Sequence, residues 1–452
     1  MTRLDHIRAT LVLGLPLIGG HLAQFAIGLT DTVMIGWYGV DELAAITLAG
    51  TYFFVLFLLG SGFAWAVMPM VAAFDAQEDE TSLRRVTRMG LWLTILYCAL
   101  ALPLLWWSEP VLQSLGQKPQ VASNAAVYLR IAGWGMFPAL LVMVLKSYLA
   151  GLERTQIVLW ITCIAAAVNA VANYGLIFGN FGLPEMGLQG AAVASIITQG
   201  VSLVGVVIYA VRVLPQHDLF ARLWRPDWEM FRSVFRMGLP IGLTTLSEVS
   251  LFAASAVMMG WIGTVALASH GIALQLASAT FFVHLGISNA ATIRVGQAHG
   301  RGDQPFQMKA AVAASALSLG MALVTIFVFL VWPDVLIRSF LDSADPDLPE
   351  IVAVASVLLA VAALFQLVDG AQVIALGLLR GLQDTTRPMI YAAISYWGVG
   401  LPASYALGFW FGFGGVGVWL GLVVGLACAA VLLGTRFWNL ARSGGVTEVP
   451  KS

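Results

Sequence analysis

Residues 10–37 read TLVLGLPLIGGHLAQFAIGLTDTVMIGW, and 224 positions later residues 234–261 read VFRMGLPIGLTTLSEVSLFAASAVMMGW. Each run is apolar for more than the ~20 residues that a helix rising 1.5 Å per residue needs to cross ~30 Å of hydrocarbon. The runs are continuous, whereas barrel strands would alternate, so they predict helices. Gly14-Leu15-Pro16 recurs as Gly238-Leu239-Pro240, Gly36-Trp37 and Gly39 recur as Gly260-Trp261 and Gly263, and Leu43-Ala44 recurs as Leu267-Ala268. Farther on, Leu149, Gly151 and Thr155 recur as Leu379, Gly381 and Thr385. The chain is a tandem duplication.

Working outward, twelve apolar segments lie near 10–36, 43–72, 88–108, 123–150, 156–179, 188–211, 234–262, 264–293, 310–332, 350–379, 387–410 and 414–437. The expected fold is an all-α integral membrane protein, with twelve transmembrane helices in two pseudo-symmetric six-helix bundles. Residues 1–212 form an N-terminal lobe, 213–233 a cytoplasmic linker, and 234–452 a C-terminal lobe. An even number of spans per half gives both halves the same orientation, so the pseudo-axis runs along the membrane normal. Two such lobes commonly enclose a transport cavity. The basic start and apolar run at the N-terminus superficially resemble a signal peptide, but that run belongs to the repeat and reads as a retained first span.

Composition agrees. Hydrophobic residues make up 59% of the 452 and charged residues 10%, too little charge to coat water-facing domains of that size. The net charge of −1 predicts no nucleic-acid partner. Cys98, Cys163 and Cys428 have no paired spacing and read as small buried hydrophobes.

The loops alternate in charge. Arg84, Arg85, Arg88, Arg154, Arg212, Arg222, Arg225, Arg232, Arg236, Arg294, Arg301, Lys309, Arg380, Arg387, Arg436, Arg442 and Lys451 follow even-numbered spans or flank the linker, and Arg3 and Arg8 precede the first span. Opposite loops carry Lys118 and Arg338 with acids such as Asp334, Asp342, Asp345 and Asp347. By the positive-inside rule both termini of a multi-pass membrane protein are expected in the cytoplasm.

Of 24 acids, only Asp31, Glu248 and Asp369 sit well inside apolar runs. A charge at mid-bilayer costs at least about 2.5–3.5 kcal/mol on insertion scales, so such groups face a cavity or pathway. The bases Arg130 and Lys146 fall inside spans but near an end, where they can snorkel. Three acids without an evident buried base point to a partner from outside: a proton, a hard cation such as sodium, or a cationic substrate. The repeat aligns Glu248 with Gln24 and Asp31 with Ser255, so the lobes share a scaffold and differ in charge. Asn169 and Asn173, four apart on one helical face beside Tyr174, either line the N-lobe cavity or bond helix to helix. Gln24 lies in the first span and Gln275 in the eighth; both are cavity candidates. His21, His270 and His284 read as satisfied structural groups. Pro16 and Pro240 would kink their helices, either as hinges or as fixed packing features. Gly417, Gly421 and Gly425 form a GxxxGxxxG face for close helix packing. No lysine stands in a GxxxxGK[ST] context, so no ATP motor is encoded here.

These residues resemble a known family. TDTVMIGWYGVDELAA (30–45), NYGLIFGNFGLPEMGLQGAA (173–192), SEVSLFAASAVMMGWIG (247–263), SNAATIRVGQAHG (288–300) and QLVDGAQVIALGLLRGLQDTTRPM (366–389) together resemble the NorM-like branch of the MATE (multidrug and toxic compound extrusion) transporters. The resemblance implies a V-shaped pair of six-helix bundles exporting organic, often cationic, compounds by sodium or proton antiport, with no cofactor. It implies that Glu248 and Asp369 are the C-lobe cation-binding carboxylates, holding sodium if the protein is sodium-coupled, and that Asp31 is the first-helix acid. Phe365 stands where some sodium-coupled members carry a tyrosine, which leaves the coupling ion open. The expected partners are small organic substrates, the coupling ion and the bilayer, for a monomer. The alternative is a flippase for lipid-linked oligosaccharide or another amphiphile, which would call for more bases facing a pyrophosphate. An enzyme is not expected, since no metal-spaced cluster or large polar loop is present.

Overall fold

The protein is described by a computed structural model covering residues 2–340 and 348–442. Asp342, Asp345, Asp347 and Lys451, which entered the loop-charge pattern, lie outside the described residues. The long helices are α1 Arg3–Tyr38, α2 Val40–Ala76, α3 Glu80–Trp106, α4 Pro119–Gly151, α5 Thr155–Phe178, α6 Gly187–Val213, α7 Trp228–Ile262, α8 Thr264–Arg301, α9 Gln304–Val331 and α10 Leu348–Gly381, then α11 over 386–410 and α12 Gly414–Arg442. Among the described residues eleven uninterrupted helices are long and apolar enough to cross a membrane. The twelfth segment, α11, is helical over its whole length but alternates between α-turns and the wider π-turns of Ile394–Gly400 and Ala406–Trp410. The repeat extends to small features: the short helices Ser108–Ser114 and Pro333–Arg338 follow α3 and α9.

Large apolar side chains point outward as well as inward. On α9, Leu319, Leu323, Phe327 and Leu330 are each more than half exposed at helical spacing. In water such a stripe would be costly, but against lipid tails it is the ordinary surface. This corrects the reading of the cysteines. Cys98 is buried, but Cys163 is exposed, beside the outward-facing Trp160 and Ile164 of α5. An apolar residue in a membrane helix has two apolar environments to choose from.

The chain divides into two compact units, one of Gly19–Gly242 and one of Met1–Ile18 with Leu243–Ser452. The boundaries fall inside α1 and α7, each two residues past its proline, Pro16 or Pro240. Each unit therefore contains the opening half of a helix whose remainder belongs to the other. Local packing explains this. In the first unit, a Cβ on Gly62 of α2 would lie 2.8 Å from the Cα of Gly242, and Phe63 stacks on Phe235 with centroids 5.7 Å apart. In the second, a Cβ on Gly286 of α8 would lie 2.9 Å from the backbone N of Ile18. Gly62 and Gly286 are themselves 224 positions apart, so the same backbone seam is built twice.

Polar ties hold the swapped segments. Buried Arg294 donates through Nη1 to the His6 carbonyl and to Thr10 Oγ1, both at 2.7 Å, and its guanidinium lies 5.1 Å from the centroid of the Phe306 ring. In the other unit Arg85 pairs with Asp227 and, at 3.0 Å, with Glu229 at the start of α7. The segment before α7 packs too: Arg88 donates to the carbonyls of Leu219 and Asp218, and Trp92 to that of Leu223. Gly417, Gly421 and Gly425 pack α12 against the backbone of α11 at Gly408, Ser404 and Gly400, the close packing their spacing predicts.

Candidate functional site

Within Gly19–Gly242, Asp31 on α1 faces the i, i+4 pair on α5. Asn169 Nδ2 donates to Asp31 Oδ1 at 3.0 Å and Asn173 Nδ2 donates to the same oxygen at 2.6 Å, while the two amides bond to each other at 3.2 Å. Both asparagines are fully buried and the aspartate is half-buried. Ser195 of α6 approaches the same carboxylate. The two possibilities for the asparagines thus coincide: they bond helix to helix, and the group they bond is the acid. Tyr174 does not join them; it is largely exposed and packs on Phe178 and Phe181 at the end of α5. Gln24 is exposed on α1, two turns before Asp31.

Within the second unit, Glu248 of α7 and Asp369 of α10 are 9% and 2% exposed and lie near enough for their charges to interact. Gln372 Nε2 donates to Glu248 Oε1 at 3.3 Å. Gln366, Asp369 and Gln372 follow one another at i, i+3 and i+6 along α10, and Tyr396 comes in from the first π-turn of α11, where it is fully buried. Three buried oxygens here have no hydrogen-bond partner among the described residues, Asp369 Oδ1, Gln366 Oε1 and Gln372 Oε1, and the Gln366 amide nitrogen is bare as well, while the Tyr396 hydroxyl meets the Gln372 side chain. Leaving such groups bare costs about 1–3 kcal/mol each. Two adjacent carboxylates also repel, so a proton or a hard cation placed among these oxygens answers both costs. Oxygen donors from two acids, two amides and a phenol suit sodium. Among the described residues no group of three or more His, Cys, Asp or Glu gathers as a metal cluster.

Two sequence expectations change. Arg380, which reads as a loop base, is half-buried at the end of α10, and its charge acts on Glu248 and Tyr396. Lys146, expected to snorkel, turns inward: its Nζ bonds Thr162 Oγ1 at 2.8 Å, seven residues inside α5. The remaining candidates stand apart from the acids. Phe365 is buried edge-on to Phe252 and Trp419, and Gln275 is exposed on α8. His270 accepts from Trp419 Nε1 at 3.1 Å and His284 Nδ1 bonds Ser318 Oγ at 2.8 Å, both structural roles. Gln366 and Gln372 could have been found from their helical register with Asp369. Tyr396 could not, because only the tertiary path of α11 brings it to the acids.

Two helical units, each with a membrane-embedded acid among polar partners on facing helices, define a multi-pass membrane protein of the carrier type. The MatE family model matches residues 16–175 and 240–406, one copy per half. The chain belongs to the MatE family. It is 49% identical over 442 residues to a protein of Rhizobium meliloti (strain 1021) described as "Probable multidrug resistance protein NorM", covering 97% of this chain and 94% of that one. A protein of Agrobacterium fabrum with the same description is 49% identical over 440 residues, covering 97% and 95%. Among solved structures, one described as "Crystal structure of MATE P26A mutant" superposes with a TM-score of 0.88 at 18% identity, covering 98% of this chain and 97% of that one. An "Outward-facing conformation of a multidrug resistance MATE family transporter of the MOP superfamily" gives 0.87 at 19%, covering 99% and 97%. These similarities fix the fold.

Proposed function

We propose that this protein is a secondary active multidrug exporter of a bacterial inner membrane, with both termini in the cytoplasm, driving organic and often cationic compounds outward against an inward flow of sodium or protons. The observation that carries the reading is the buried Glu248–Asp369 pair, with the unpartnered amide oxygens of Gln366 and Gln372 on the same helix as Asp369 and the Tyr396 hydroxyl against Gln372. That donor set gains most from a bound cation, and a state-dependent gain of this kind can bias a conformational equilibrium. Asp31, held by Asn169 and Asn173, supplies a second acid in the other unit that a protonated or quaternary substrate can meet. The naming of the relatives as multidrug resistance proteins supports the substrate class. An ion-coupled carrier binds and releases its substrate unchanged, so these acids are binding groups and no catalytic residue is invoked.

The test is efflux of a fluorescent cationic dye from cells carrying the wild type, Glu248→Gln or Asp369→Asn. Loss of ion-dependent efflux in both variants at unchanged membrane abundance is expected. Normal efflux with unchanged ion dependence in both would sink the proposal.

A further inference from the structure

Lys146 is a base that the fold turns toward the interior of the Gly19–Gly242 unit without giving it an acid among the described residues. It lies on α4, half-buried, and its ammonium donates to Thr162 Oγ1 at 2.8 Å. Among the described residues no carboxylate pairs with it. The direction follows from geometry. A helical side chain leans toward the N-terminus of its own helix, and here the length of the chain carries the charge inward, away from the helix end. Thr162 is committed as well, since it donates its own hydroxyl proton to the Val158 carbonyl at 2.7 Å and accepts from the lysine. His21 of α1 lies within reach of the lysine's charge, and its ring stacks on Trp65 of α2 with centroids 6.1 Å apart and planes 12° apart. The ammonium of α4 therefore lies at Thr162 of α5, with His21 of α1 within reach.

A half-buried ammonium with one hydroxyl partner has two donors left over, which an anionic group from outside the protein can fill. The same elements carry the acid. Thr162 and Asn169 are seven residues apart on one face of α5, about 10 Å at 1.5 Å per residue, and His21 and Asp31 are ten apart on α1, about 15 Å. Base and acid thus lie roughly two to three turns apart along α5 and α1, with the stacked His21 and Trp65 rings toward the basic end.

We propose that Lys146, with His21 and Trp65, recognises the carboxylate or other anionic group of an aromatic substrate whose cationic end is held at Asp31. This deepens the export reading and rests on it: the unit would be selective for molecules carrying both charges roughly 10–15 Å apart, not only for cations. Thr162 positions the ammonium and does not touch the ligand's charge directly.

The experiment uses the full chain in phosphatidylcholine nanodiscs. Binding of a xanthene dye whose free carboxylate is carried on an alkyl linker roughly 10–15 Å from the positive charge is compared with binding of its ethyl ester, which keeps only the positive charge. Lys146→Gln should weaken the carboxylate form about tenfold while leaving the ester unchanged. Lys146→Arg, which keeps the charge, should restore most of the loss. Equal weakening of both dyes, or no weakening of either, would overturn the proposal while leaving export intact. An ester that fails to bind the wild type would overturn the export reading and this proposal together. If the difference between the dyes disappears in nanodiscs containing phosphatidylglycerol, the site belongs to a lipid phosphate and the assignment to substrate is wrong.

Discussion

Replacing Gly62 by alanine puts the doubled seam under direct test. The new Cβ would meet backbone rather than a mobile side chain, with the Cα of Gly242 at 2.8 Å. Carbon atoms rest at about 3.5–4.0 Å, so α2 and the first half of α7 must part by about 1 Å. Overpacking of a close-packed site costs about 1–3 kcal/mol, and with backbone on both sides the upper end applies. For a unit of this size about 1 kcal/mol corresponds to 2–4 °C, so the melting temperature should fall by roughly 5–10 °C. Gly200→Ala is the control, because nothing lies within 4 Å of a Cβ there and removing a glycine from a helix interior should stabilise it by about 0.5–1 kcal/mol. Gly286→Ala, the repeat-related position against Ile18, should behave like Gly62→Ala. Melting is followed by the fraction of protein that stays monodisperse after heating in detergent. If Gly62→Ala melts with Gly200→Ala, at or above the wild type, the seam is not close-packed and the assignment of the α7 half-helix to this unit is wrong.

Three further outcomes follow from the polar contacts. Asp31→Asn should weaken binding of a permanently charged organic cation by about tenfold or more, whereas Asn173→Ala, which removes one donor and leaves the acid, should have a smaller effect measured by the same titration. Gln372→Leu deprives Glu248 of its donor and the cation cluster of one oxygen, so the half-saturating ion concentration for transport should rise with maximal rate less affected. Asp227 is held below the usual carboxylate range by its hydrogen bonds from Arg85, followed by the backbone N–H of Met230. A depressed carboxyl contributes stability above its unfolded value of about 4 and loses it as pH falls through the lower folded value, so the melting temperature should decline on acidification. In Asp227→Asn that part of the acid dependence should be absent, and an identical decline in both proteins would refute it.

What could be read in the sequence was the one-dimensional part. Apolar run length marked the spans, and the Gly-Leu-Pro and Gly-Trp recurrences marked the duplication, because both properties are local. Asp31, Glu248 and Asp369 were legible as exceptions, since an acid in an apolar run has few ordinary reasons to be there. The helices extend past the apolar runs by polar turns; α7 begins at Trp228, inside the stretch read as linker, because helical hydrogen bonding does not stop where hydropathy does. Three features needed the third dimension. The passage of α1 and α7 between units depends on which glycine backbone each half meets. Lys146 could as well have turned outward, and only the position of Thr162 decides. Tyr396 reaches the acids through the π-turn of α11, and the proline at Pro402 just beyond it lacks the N–H that a regular ladder needs.

The central claim is that Glu248 and Asp369 couple an ion gradient to substrate movement. Its most direct test is dye transport in proteoliposomes, with sodium and pH gradients imposed one at a time, on the wild type and on the Glu248→Gln/Asp369→Asn double variant. The wild type should accumulate dye against its gradient under at least one of the two ions, and the double variant under neither, while still binding dye. Undiminished gradient-driven transport in the double variant, or wild-type transport indifferent to both gradients, would contradict it.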